Sequence, residues 1–298
     1  MEMDVVFLGT ASAIPSKKKN HSGFLVKTEK HKILVDCGEG IQRQFKFADE
    51  NPSKLTHLLI THWHEDHTLG LMGLLKTMGM NSYAQTLQIY GPKSTKEKLD
   101  LFQKIYSRYK INLKITEIES GLVYEDKSIK IESEKMDHGI TTLAYSIILK
   151  DQIRINKSKI KKLKLPSSPL IGDLQRGKDI IFNNKKIKSK EVTYIEKGKK
   201  LTIILDTAQN QNTIKLAKDS DLLICESTYM ADEIEQANEY KHLTTHQATE
   251  IAKKAKVSKL ALVHISEKNV HKIPLMLKEA KTIFKKTIIP EDLEVLKV

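Results

Sequence analysis

Four short apolar runs in this 298-residue chain each stop on a residue that can do chemistry. They are HLLIT before His62, LTIIL before Asp206, DLLIC before Glu226 and LALV before His264. Runs of this length, rich in Leu, Ile and Val, read as buried strands. In open α/β sheets, sites form outside the carboxyl ends of strands, so four such stops favour one convergent site. Residues 3–8, GFLVKT with KILVDCGEG as a hairpin, TLQIYGP and TTLAYSIIL read as further strands, and 111–133 as several short ones. LGLMGLLKTMG, residues 94–109 and THQATEIAKKA read as helices. Two strand-rich halves with helices outside predict an α/β fold: a four-layer α/β/β/α sandwich over 1–298, with the site along one edge.

Residues 61–71, THWHEDHTLGL, concentrate the chemistry. The chain has 11 histidines, and His62, His64 and His67 fall within six positions, with Asp66 among them. Histidine is the commonest side-chain ligand for divalent metals. His62 and His64 are two apart, so in an extended segment they face the same way. Asp66 and His67 follow a turn and face a second point, so one loop can feed two metals. His138, in KMDHGITTLAYSI, and Asp206 and His264 at strand ends complete seven candidates. Zinc takes such nitrogen and oxygen ligands and keeps a position open for water in catalytic sites. Asp206 comes from the half opposite the histidine loop, which makes it the natural bridge. Paired ions make hydroxide available at neutral pH, so the reaction class is metal-assisted hydrolysis. Asp36 and Glu39 are candidates to orient the histidines.

The net charge of +13 and a pI near 9.4 point to a polyanionic partner. Residues 150–200 hold sixteen Lys/Arg against five Asp/Glu, a net of +11. That segment, 151–200, reads as an inserted basic arm with modest structure of its own, suited to nucleic acid. No apolar stretch approaches the ~18–20 residues needed to span a bilayer. The start, MEMDVVFLGT, is acidic where a signal peptide is basic. A cytoplasmic protein is expected, with Cys37 and Cys225 as small packed residues in a reducing compartment.

The HxHxDH loop resembles the metallo-β-lactamase superfamily. ILVDCGEGIQRQ (33–44) and GTASAIPSKKKN (9–20) are similar to segments of its tRNA 3′-processing branch, the ribonuclease Z family. LKLPSSPLIGDLQRGKDI (163–180) is similar to that family's tRNA-gripping arm. CEST (225–228) and HLT (242–244) stand where it has His-Glu-Ala-Thr and His-Ser-Thr. The resemblance implies the metallo-β-lactamase fold, two zinc ions, a homodimer, and cleavage of pre-tRNA after the discriminator base to leave a 3′-hydroxyl. It implies one ion on His62, His64 and His138, another on Asp66, His67 and His264, and Asp206 bridging. Asp66 would also act as general base, and Glu226 with His242 as an acid pair at the leaving oxygen. It bounds the tRNA-binding arm at 151–180. The expected RNA contacts are Lys17, Lys19, Lys161, Lys162, Lys164, Arg176 and Lys178. Lys19 stands where arginine is usual; HISEKN, Leu243 and Ser168 also depart from the family pattern.

Two rivals are a metallo-phosphodiesterase for other nucleic-acid or small phosphodiester substrates, and a non-catalytic RNA-binding scaffold. The basic arm argues against the small-substrate specialist. The presence of all seven ligand candidates argues against the scaffold.

Overall fold

The computed structural model describes residues 2–106 and 111–298. The expected helix at 94–109 is Thr95–Tyr106; its last three positions lie outside the described residues. The chain forms two compact units, one of residues 2–148 and 199–298, the other of residues 149–198.

The larger unit is built on two seven-stranded sheets. The first carries β1 (Asp4–Gly9), β2 (Gly23–Lys27), β3 (Lys32–Val35), β4 (His57–Leu59), β5 (Thr86–Gly91) and β6 (Asn112–Glu117). The second carries β7 (Gly121–Glu125), β8 (Ile129–Met136) and β9 (Thr142–Leu149). The smaller unit holds β10 (Gln152–Ile155), β11 (Ile180–Phe182), β12 (Lys185–Ile187) and β13 (Thr193–Glu196). The second sheet resumes with β14 (Lys200–Ile204), β15 (Leu222–Glu226), β16 (Leu260–Val263) and β17 (Thr287–Ile288). A last strand, β18 (Val295–Lys297), returns to the first sheet against β1. The orders are β18-β1-β2-β3-β4-β5-β6 and β17-β16-β15-β14-β9-β8-β7.

In each sheet the strands that feed the site run parallel: β3–β4–β5–β6 in one and β14–β15–β16–β17 in the other. Their carboxyl ends therefore share one edge within each sheet. Both faces are buried, so the strands read as continuous apolar runs rather than alternating ones. Val6, Leu8, Leu25, Leu34 and Leu58 pack under the helices Ile41–Phe47 and Leu71–Met80. Ile204, Leu223, Leu260 and Leu262 pack under Gln211–Ala217 and Thr245–Lys254. The alternate residues, including Phe7, Phe24, Tyr145 and Ile203, are also fully buried. Tyr145 donates its hydroxyl from β9 to the Ile60 carbonyl beyond β4 (2.8 Å), so these faces meet sheet to sheet. The fold is the α/β/β/α sandwich. Cys37 and Cys225 are free and buried.

The smaller unit has more order than its composition suggests. Two antiparallel strand pairs, β10–β13 and β11–β12, surround the short helices Lys157–Lys162 and Pro169–Gln175. Ile160, Leu165, Leu174, Ile180, Ile187 and Val192 form its own apolar core. The segment marked at 151–180 lies inside this unit; the partner strand of β10 is β13, so the compact body closes only near Gly198. No helix among the described residues is long and apolar enough to cross a membrane.

Candidate metal centre and active site

The strand β4 ends at Leu59, and the chain continues extended through His64, at φ −75° and ψ 155°. One helical turn, Glu65–Thr68, then redirects it. Its acidic first turn, Glu65 and Asp66, suits the positive end of a helix. The loop seats tightly because of two glycines: a Cβ on Gly38 would lie 2.2 Å from the Asp66 carbonyl, and one on Gly70 2.1 Å from that of Gly38. Asp36, Asp206 and His264, each just past a strand, have φ of 55°, 23° and 58°. Such left-handed backbone in non-glycine residues costs about 1–3 kcal/mol each and clusters at functional sites. On the far side, Thr244 and Gln247 form a capping box that starts the helix Thr245–Lys254 just after His242.

These elements bring two ligand groups together. His62, His64, His138 and Asp206 place one donor atom each within 4.8 Å of one another, as do Asp66, His67 and His264. Asp206 Oδ1 also lies 3.3 Å from His67 Nε2 and 3.2 Å from His264 Nε2, so it touches both groups. A third set, Asp206, His242 and His264, meets the same limit. His64, Asp66, His138, Asp206, His242 and His264 border a cavity of ≈ 530 Å³, whose other walls include Ser12, Ile14, Thr228, Tyr229, Tyr240 and Lys268.

The donor chemistry suits a divalent cation. His67 Nδ1 donates to Asp36 Oδ2 (2.7 Å) and His138 Nδ1 to the Lys241 carbonyl (3.1 Å). Each ring therefore turns its Nε2 toward the carboxylates. Asp206 Oδ1 is buried and makes no well-formed hydrogen bond among the described residues. Asp36, Asp66 and Asp206 are buried beside imidazoles, with no lysine or arginine paired to them among the described residues. Buried carboxylates need compensating positive charge. Burial opposes charge on His67, yet Asp206 and Asp36 hold its pKa well above the usual imidazole range. Burial pulls His62 well below that range and His138 below it. Burial would raise Asp66, but hydrogen bonds and charge from His264 and His67 hold it well below the carboxylate range. That suits a ligand.

Glu226 is fully buried and accepts from the Thr207 amide (2.7 Å), the Thr228 hydroxyl (2.6 Å) and His242 Nδ1 (3.0 Å). Burial would lower His242, but the Glu226 carboxylate raises its pKa to about 9. His242 is therefore held in its protonated form at neutral pH.

Two expectations change. Glu39 is exposed and orients no histidine among the described residues, whereas Asp36 does. Lys19 is buried: its ammonium donates to Thr10 Oγ1 (2.8 Å) and the Pro290 carbonyl (3.2 Å), so it braces the loop instead of presenting charge to RNA. Lys17, Lys161, Lys162, Lys164, Arg176 and Lys178 are exposed. Thr61 and Thr228, which sequence reasoning passed over, both touch site imidazoles.

Sequence comparison decides the family. A ribonuclease Z of Enterococcus faecalis is 34% identical over 99% of this chain and 97% of its own length. The chain belongs to the ribonuclease Z family. Residues 3–193 also match the family described as Anti-Pycsar protein Apyc1, and over that stretch the chain belongs to it as well. In structure it is similar to human tRNase Z, short form (TM-score 0.72, 22% identity, 98% of each chain). It is similar too to the metallo-β-lactamase fold protein YhfI of Bacillus subtilis (TM-score 0.70, 22% identity, 100% of this chain and 99% of that one). Those two likenesses carry the fold. As a ribonuclease Z family member with this fold, the chain is a metal-dependent phosphodiester hydrolase.

Proposed function

We propose that the chain is a zinc-dependent endoribonuclease that removes the 3′ trailer of tRNA precursors. It cuts after the discriminator and leaves a 3′-hydroxyl on the tRNA. The supporting observation is the pair of His/Asp groups joined by Asp206, in a chain that matches ribonuclease Z end to end.

His62, His64 and His138 would hold one zinc ion, Asp66, His67 and His264 a second, with Asp206 shared. Bound divalent cations supply Lewis acidity, lowering the pKa of water and offsetting phosphate charge. The protein's own residues do the rest. Asp36 fixes the His67 ring, and the Lys241 carbonyl fixes His138. Glu226 keeps His242 protonated through Nδ1, which leaves Nε2 to deliver a proton. The attacking water oxygen joins phosphorus and passes a proton to Asp66 as the P–O3′ bond breaks, and His242 gives its own proton to the departing 3′-oxygen. The basic unit 149–198 would grip RNA by its phosphates, which supplies affinity rather than sequence choice. RNA shape would carry specificity. A cytoplasmic homodimer is the form we expect.

Metal analysis joined to cleavage tests this. Two zinc ions per chain are expected, and trailer removal should stop on chelation and return with zinc. A zinc-loaded protein that hydrolyses nitrophenyl phosphodiesters but leaves trailer-bearing pre-tRNA intact would favour the alternative phosphodiesterase.

A further inference from the structure

Two threonine hydroxyls stand between a buried carboxylate and a buried imidazole in the same manner. Thr61 Oγ1 lies 2.6 Å from Asp36 Oδ2 and 3.0 Å from His62 Nδ1. Thr228 Oγ1 lies 2.6 Å from Glu226 Oε2 and 3.0 Å from His264 Nδ1. Both threonines, both carboxylates and both imidazoles are at most 4% exposed.

A hydroxyl has one hydrogen to donate, and an ionised carboxylate can only accept. Asp36 collects the Thr61 amide, the Thr61 hydroxyl and His67 Nδ1. Glu226 collects the Thr207 amide, the Thr228 hydroxyl and His242 Nδ1. The short contact to the carboxylate therefore takes each threonine's hydrogen. Toward the imidazole the hydroxyl can only accept, so His62 and His264 must carry hydrogen on Nδ1. Their Nε2 lone pairs then face inward. His264 Nε2 lies 3.2 Å from Asp206 Oδ1 and 3.4 Å from Asp66 Oδ2. His62 Nε2 lies 3.1 Å from His64 Nδ1 and 3.6 Å from Asp206 Oδ2.

We infer that Thr61 and Thr228 are positioning residues that set the Nδ1–H tautomer of His62 and His264 and so present one imidazole nitrogen to each metal. One carboxylate in each half of the fold thereby orients two rings. Asp36 holds His67 directly and His62 through Thr61. Glu226 holds His242 directly and His264 through Thr228. Thr228 thus ties the leaving-group acid to a metal ligand; its oxygen is also 3.4 Å from His242 Nδ1. The inference rests on the ligand assignment proposed above.

The test compares Thr61→Val, Thr228→Val and the matching serine variants in the full chain. Valine keeps the shape and cannot accept; serine keeps the hydroxyl. Zinc affinity is read by chelator competition. Each valine variant should weaken one of two ions by about 10–100-fold, the usual cost of losing a partner that orients a ligand. Each serine variant should stay within a few-fold of the parent. A merely structural role would lower the unfolding temperature without singling out one ion. Valine variants that bind both ions as the parent does, or serine variants as weak as valine, would overturn the relay. Histidine ¹⁵N NMR of the metal-free parent at alkaline pH gives an independent readout that needs no variant. Hydrogen on Nδ1 of His62 and His264 is expected, and hydrogen on Nε2 overturns the proposal. A parent that binds no zinc but shows both Nδ1–H tautomers would sink the ligand assignment and leave the relay standing.

Discussion

At Asp206, a left-handed backbone, burial and an oxygen without a well-formed hydrogen bond among the described residues coincide. Nothing in folding alone favours that combination, and a cation held there would balance the buried charge. Asp206→Ala should therefore lower bound zinc from two ions to at most one, read by elemental analysis of the dialysed protein; retention of both would remove its bridging role. At Asp66, burial is opposed by His67 and His264. Asp66→Ala should abolish cleavage while RNA affinity stays near the parent's. Cleavage within a few-fold of the parent at saturating zinc would show that Asp66 is dispensable. His242 differs in kind, because the seven other residues complete both groups without it. General acid help is worth ~10²–10⁴-fold, so His242→Ala should lower kcat on pre-tRNA by about that factor. Zinc content should hold, and an activated nitrophenyl ester should suffer much less, since its leaving group needs no proton. Loss of zinc in this variant would instead make His242 a ligand, as its place in the third group allows.

Among the elements, β4 links two chemistries at its opposite ends. His62 lies past its carboxyl end, and His57 begins it, buried, with no hydrogen-bond partner on Nε2 among the described residues. Burial, then the neighbouring His31, lower His57 to about 4, against the opposing pull of Asp126. The unfolded chain, with an ordinary imidazole near 6.5, binds the proton first. Stability therefore falls as pH drops from about 6.5 toward 4, by at most about 3 kcal/mol. Denaturant unfolding across that window should show the parent losing stability relative to His57→Leu as pH falls; parallel curves would refute the assignment. The site-bearing strands were legible in the sequence because apolar runs that stop on His, Asp or Glu carry position and chemistry together. Other parts were not. The strands Thr287–Ile288 and Val295–Lys297 are too short to show periodicity. The six-residue core of the 149–198 unit is scattered among lysines. Thr61 and Thr228 carry no signal, since only their geometry distinguishes them from other threonines. Lys19 misled because its positive charge says nothing of the direction its side chain takes.

For the whole molecule, chemistry and RNA grip should separate. The carbonyl of Leu149 comes so close to Gly198 that a Cβ there would lie 1.9 Å from it. The two ends of the basic unit are therefore adjacent, and β9 already pairs with β14 beside them. Replacing 150–197 with a short turn should spare zinc binding and hydrolysis of a nitrophenyl phosphodiester while abolishing pre-tRNA processing. Loss of the small-substrate activity in a folded, zinc-loaded deletion would contradict that division. RNA binding by the full chain should also weaken steeply with salt, as phosphate contacts release counterions. The most direct measurement is to incubate the zinc-loaded protein with a trailer-bearing pre-tRNA and map both new ends. A single cut after the discriminator, with a 3′-hydroxyl on the tRNA and a 5′-phosphate on the trailer, is expected. Cuts scattered along the trailer, a 3′-phosphate on the tRNA, or no cut by a fully loaded enzyme would contradict the proposed function.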